Sequence, residues 1–155
     1  MEMEIRILRA GDEHILTNVA DDVFDHPVDN TLTAEFLRDP RHHLCVCIQE
    51  NIVVGFASAV HYVHPDKSSQ LWINEVAVSP SHQRKGIAKR VLSALLSLGR
   101  ELDCTEAWVL THEDNVAARA LYLSAGGVET AQIMVSFQLS SNASVSFGSR
   151  KGAGW

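Results

Sequence analysis

The junction Gln83-Arg84-Lys85-Gly86-Ile87-Ala88 constrains this chain more than any other stretch. Residues 71–78 before it read as a strand. After it, Ile87, Val91, Leu95, Leu98 and Leu102 recur at helical spacing, which predicts a helix over 87–102 with one buried face. The first N–H groups of such a helix have no intrahelical partner and sit at the positive end of its dipole. Gly86 has no Cβ, so a ligand can approach the backbone closely, and Arg84 and Lys85 add full charges. The junction reads as a phosphate cradle.

The remaining pattern supplies the rest of an α/β domain. A short strand is expected at 4–8, a helix from residue 10 to about 22, an acidic loop over 21–30 and a short helix over 31–39 that stops before Pro40. Strands follow at 43–49 and 52–63, joined by a tight turn at Glu50-Asn51. A further strand over 105–110 precedes a helix capped by Asp114 or Asn115 that runs to Ser124 and stops at Gly126-Gly127. A last strand is expected at 131–139. The order β-α-α-β-β-β-α-β-α-β implies a mixed sheet. Residues 1–139 form one expected domain, and residues 140–155 a Ser/Gly-rich tail ending in Trp155, for which the sequence offers no role.

Charge divides unevenly. Residues 1–80 carry 5 Lys/Arg and 13 Asp/Glu, a net of −8; residues 81–155 carry 8 and 6, a net of +2. The acidic half opposes a nucleic-acid partner and suits a cationic one, unless it serves solubility alone. The basic half suits an anionic cofactor. No apolar run reaches the roughly 18 residues a membrane helix needs, and the first residues show no signal-peptide pattern. Three cysteines, Cys45, Cys47 and Cys104, do not make a disulfide framework, which fits a cytoplasmic protein.

The junction, in the form Gln/Arg-x-x-Gly-x-Gly/Ala between strand and helix, resembles the acyl-CoA loop of the GNAT acetyltransferase superfamily. Ala88 fills its last position, an accepted variant. Three further segments carry the resemblance across residues 4–139: Asn74-Glu75-Val76-Ala77-Val78, Asn115-Val116-Ala117-Ala118-Arg119-Ala120-Leu121-Tyr122, and Ala125-Gly126-Gly127-Val128. The resemblance implies a mixed, mostly antiparallel central sheet flanked by about four helices, acetyl-CoA as cofactor, and acetyl transfer to a primary amine by direct attack in a ternary complex. Small members are often homodimers. Ile73-Asn74-Glu75-Val76-Ala77-Val78, with the acidic segment 21–30, is most similar to aminoglycoside 3-N-acetyltransferases of type I, which implies antibiotic resistance through a 3-amino group.

Within that frame Val76, Ala77 and Val78 would offer backbone hydrogen bonds to the pantetheine arm. Gln83, Arg84, Lys85, Gly86, Ile87 and Ala88 would hold pyrophosphate, with Lys89 and Arg90 one turn further. Asn115 would bond the pantetheine, cap its helix, or both. The amine must lose a proton to attack, so a general base is useful, and Glu75 is the first candidate. Strict alternation puts Glu75 on one face with Leu71, Ile73 and Ala77, an anomaly for a carboxylate. Either the strand bulges near 74–76, or Glu75 sits at a cleft mouth with a raised pKa; a structural pair with an Arg is the competing role. Tyr122 would protonate or hydrogen-bond the leaving thiolate, unless it is a core side chain. Asp21, Asp22, Asp25, Asp29, Glu113 and Asp114 are candidate contacts for a polycationic sugar.

No metal is expected. His42-His43 with Cys45 and Cys47 lacks zinc-type spacing, and the two cysteines read as inward-facing core. His112 is a second candidate base acting through water. Trp72 and Trp108 are expected to pack between elements. The competing functions are a protein, peptide or polyamine N-acetyltransferase and, from another class, a non-catalytic acyl-CoA-binding module.

Overall fold

The computed structural model describes residues 2–141. Five strands form one sheet in chain order: β1 (Glu4–Ile7), β2 (His42–Gln49), β3 (Ile52–Tyr62), β4 (Gln70–Val78) and β5 (Glu106–Val109). All neighbours are antiparallel except β4 and β5. A parallel pair cannot be closed by a tight turn, so the chain crosses over through α2 (Ile87–Glu101). The mixed, mostly antiparallel sheet is as expected. Among the described residues three α-helices flank it rather than about four: α1 (Asn30–Arg38), α2 and α3 (Val116–Ser124).

Both faces of the central strands are covered, so β2 and β3 are near-continuous apolar runs. Cys45, Cys47, Ala57, Leu71, Ile73, Val76 and Val78 meet Ile87, Val91, Leu92 and Leu95 of α2 on one face. Leu44, Val46, Val53, Phe56 and Ala77 meet Leu16, Val23 and Leu37 on the other. Each fully buried Leu, Ile or Val contributes about 1.5–3 kcal/mol relative to exposure. Close approach of α2 depends on Gly55, where a Cβ would lie 2.9 Å from Ile87 Cγ2. The β2–β3 turn is left-handed at both Glu50 (φ 52°) and Asn51 (φ 64°), the geometry of a two-residue hairpin.

Two expected elements are absent. The helix over 10–22 is reduced to a 3-10 turn at Glu13–Thr17. Residues 18–20 bond the start of β3 instead: Ala20 N donates to Val53 O and Val53 N to Asn18 O, both at 2.9 Å. Asp22 then takes a left-handed φ of 60°, which no helix continues through. The strand over 131–139 does not form. Ile133, Val135, Phe137 and Leu139 alternate as a strand would, yet all are 69–96% exposed. Alternation marks a face, and here no strand edge pairs with it. The tail expected at 140–155 falls, beyond residue 141, outside the described residues.

Candidate functional site

The β3–β4 ladder pairs Ser58 with Glu75 but Ala59 with Ile73, so Asn74 is one extra residue in β4. This bulge inverts the alternation. Leu71 and Ile73 point to the α2 side, as do Val76 and Val78, whereas Glu75 and Ala77 turn to the opposite face. The carboxylate that strict alternation would bury is half-buried on the side of the 3-10 turn and α1. Of the two accounts offered for Glu75, the structure has the bulge.

β4 also loses a neighbour at this point. Its ladder with β5 runs from Gln70↔Glu106 to Ile73↔Val109 and ends. Past it, Val76, Ala77 and Val78 pair with β3 alone among the described residues, leaving backbone groups on the other edge for a ligand. The side chains of Val76, Ala77 and Val78 are buried in the two cores, so any contact they make with a ligand is through backbone.

At the end of β4 the chain enters the cradle. Arg84 (φ 61°) and Gly86 (φ 77°) are both left-handed, which aims successive amides to one side. Gly86 is the N-cap of α2 and no side chain caps this helix, whereas Asp29 caps α1 (Leu32 N, 2.8 Å) and Asn115 caps α3 (Ala118 N, 3.1 Å). The first amides of α2 are therefore left for another acceptor. Nothing lies within 4 Å of where a Gly86 Cβ would stand. A cleft of about 250 Å³ opens there, lined by Val78, Gln83, Arg84, Gly86, Ile87, Ala88 and Lys89 and by Ala117, Ala120, Leu121 and Ser124 of α3. Gln83 Nε2 donates to Val78 O (3.3 Å) and Lys85 Nζ to Ser81 O (3.2 Å). Lys89 and Arg90 are exposed one turn on. Uncapped amides, a glycine open to the cleft and flanking cations fit a diphosphate-bearing cofactor such as acetyl-CoA.

Tyr122, on α3, packs with Leu121 and Ala125 against the α2-side core. Burial pushes its phenol up to about 12, so it keeps its proton at neutral pH. Glu75 and Tyr122 thus belong to opposite faces of the sheet. Asn115 fulfils the capping role foreseen for it.

The acidic residues separate. Asp21, Asp22 and Asp25 are exposed on the loop before α1, which Val23 and Phe24 anchor on the face of Glu75; Phe24 stacks on Phe56 at 4.2 Å. Asp29 is committed to capping α1. Glu113 and Asp114 lie in the β5–α3 loop with His112, held where Arg119 Nη1 donates to Glu113 O at 2.7 Å. Arg119 also pairs with Glu129 at 2.8 Å, tying the chain after α3 to the helix.

Cys45 and Cys47 are fully buried, and burial raises both thiols, Cys45 to about 12. Among the described residues no three His, Cys, Asp or Glu side chains are grouped to hold a metal. His43 instead pairs with His61 of β3, Nε2 to Nδ1 at 2.8 Å, a contact that adjacent sequence could not reveal. Nor could it reveal that Trp72 of β4 and Trp108 of β5, expected to pack between elements, do so by stacking on each other. No described helix is long and apolar enough to cross a membrane.

Comparison with known proteins agrees with this geometry. The chain is 33% identical over 100 residues to L-2,4-diaminobutyric acid acetyltransferase of Vibrio cholerae serotype O1, covering 62% of this chain and only 56% of that enzyme. It is 25% identical over 115 residues to aminoglycoside N(6')-acetyltransferase type 1 of Salmonella typhimurium, covering 70% of this chain and 79% of the relative. An aminoglycoside acetyltransferase from an uncultured soil metagenomic sample, solved with trehalose, superposes with a TM-score of 0.77 at 19% identity over 89% of this chain and 97% of its own. The profile of the acetyltransferase (GNAT) family matches residues 12–126, most of the domain described above, and the chain belongs to that family.

Proposed function

We propose that this protein transfers acetyl from acetyl-CoA to a primary amine of a cationic small molecule, with an aminoglycoside as the leading acceptor. The observation that carries the reading is the bulge at Asn74. It turns Glu75 onto the face of the acidic loop at the point where β4 parts from β5 and leads into an uncapped helix. Bound there, acetyl-CoA supplies an activated acetyl thioester and a thiolate leaving group.

The chain's residues divide the remaining work. Amides of the cradle and of α2 hold the diphosphate, and the open edge of β4 at Val76, Ala77 and Val78 bonds the amide-bearing arm. Glu75 accepts a proton from the acceptor ammonium, leaving a neutral amine able to attack. Tyr122 faces the departing sulfur. With its phenol at about 12, full proton transfer to a thiolate of ordinary pKa near 8.5 is uphill by about 5 kcal/mol. Tyr122 therefore serves as a neutral hydrogen-bond donor to the sulfur, and solvent completes protonation. Asp21 and Asp25 attract the polycation from the same face as Glu75.

The run at residues 73–78 favours transfer to a 3-amino group. The Salmonella relative, matched over 115 residues, bears 6'-acetylation in its name, and that longer match favours the 6'-amine. A linear diamine is the second reading, favoured by the 33% identity to the diaminobutyric acid enzyme. Incubation with acetyl-CoA and, separately, kanamycin, 1,4-diaminobutane and a peptide panel, following free thiol, tests the proposal. Kanamycin should react fastest and give a 6'-acetyl product by mass spectrometry and NMR. Thiol release with peptides alone would replace this reading with a protein acetyltransferase. Acetyl-CoA binding without turnover on any amine would leave a binding module.

A further inference from the structure

Three rings on the face of Glu75 have no part in the chemistry above. Tyr62 ends β3, Trp72 lies in β4 and Trp108 in β5. Trp72 is in register with Trp108, and their rings stack at 5.2 Å with planes 13° apart; Tyr62 stacks on Trp72 at 6.1 Å and 21°. The three form one aromatic row across three strands. α1 and the 3-10 turn pack over β2 and β3, and the row stays open: Tyr62 is 41% exposed and both indoles are half-buried. Burying such rings would normally stabilise a fold, so an open row of three on the face of Glu75 is a surface kept for contact.

Position gives the row a purpose. Trp72 opposes Val60 and Glu75 opposes Ser58, so across the bulge they are adjacent residues of one face. The β4–β5 ladder ends one residue past the Trp pair, where the gap opens. A molecule meeting Glu75 from this face meets the indoles on its flank. Charge complementarity and shape together define the occupant: a cation for Glu75 and the acidic loop, and a saturated ring whose carbon face seats on aromatic surface. We propose that Tyr62, Trp72 and Trp108 form a positioning wall that selects ring-shaped polyamines, such as amino sugars, over linear ones. The inference rests on the acetyl-transfer reading for the role of Glu75, and adds a basis for acceptor choice.

The wall is testable with and without turnover. Trp108→Ala should raise KM for kanamycin about tenfold, the worth of one good cation–ring or ring–ring contact, with kcat nearly unchanged. KM for 1,4-diaminobutane and for acetyl-CoA should not move. Tyr62→Ser, at the most exposed ring, should show the same selectivity in smaller measure and guards against a folding defect in the first variant. Kanamycin should quench indole fluorescence in the parent protein and less in Trp108→Ala. Equal KM changes for ring and linear amines, or none, would overturn the wall and leave acetyl transfer intact. Quenching lost in Trp108→Ala, in a parent that acetylates no amine, would support the wall and overturn the transfer reading.

Discussion

β4 presents two faces of opposite character. Toward α2, Leu71, Ile73, Val76 and Val78 are dry and close-packed. Toward the other side, Trp72 and Glu75 are half-buried and only Ala77 is core. A regular strand cannot divide its residues this way, because alternation is strict. One extra residue, Asn74, moves the boundary. The comparison teaches that the packed core and the proposed base are separated here by backbone register, so variants on the two faces should fail in different ways.

The largest effect should come from removing the group that the bulge aims. Loss of a positioned base is worth about 10²–10⁴-fold in rate. Glu75→Gln should therefore lower turnover, followed as free thiol, about 10²–10³-fold while melting temperature and acetyl-CoA binding hold. A Glu75→Gln variant that keeps turnover would show that the bulge does not aim a base.

This division was partly legible in the sequence. The apolar periods of α2, the cap at Asn115 and the strand–loop–helix junction were readable because each is a local signal. The bulge was readable only as an alternative, since a misplaced carboxylate reports that register must break or burial be incomplete, without saying which. The helix over 10–22 was misread because its apolar positions do not record that residues 18–20 can bond the start of β3. The strand over 131–139 was misread because alternation in one segment says nothing about an available edge. The row of Tyr62, Trp72 and Trp108 and the pair His43–His61 depend on pairings 10 to 36 residues apart, so no window of sequence contains them.

Tyr122 tests whether the separation is complete, since the proposed hydrogen-bond donor to the sulfur packs on the α2 side. Tyr122→Phe keeps the ring and removes the donor. A hydrogen bond to a charged group is worth about 1.5–3 kcal/mol, so kcat should fall roughly 10- to 150-fold with little change in melting temperature. Because burial holds the phenol at about 12, the parent's pH–rate profile should show no falling limb from Tyr122 near neutrality. An unchanged kcat would make Tyr122 a packing residue and leave the two faces cleanly divided.

The smallest effect should come from a dry-face residue remote from the cleft. Burial, then the nearby His61 and His42, push the His43 imidazole from 6.5 down to about 4. Between those values the unfolded chain binds a proton that the folded chain refuses, so stability rises with pH through the window. The contribution is complete above 6.5 and is lost as pH falls toward 4, about 3 kcal/mol at most. Urea unfolding across this range should show that acid limb, and His43→Leu should flatten it. Turnover at neutral pH should be the same in both proteins, because His43 shares its face with Cys45 and the α2-side core rather than with Glu75. A loss of turnover in His43→Leu at unchanged stability would mean that the α2-side face carries function as well, and that register alone does not divide the two.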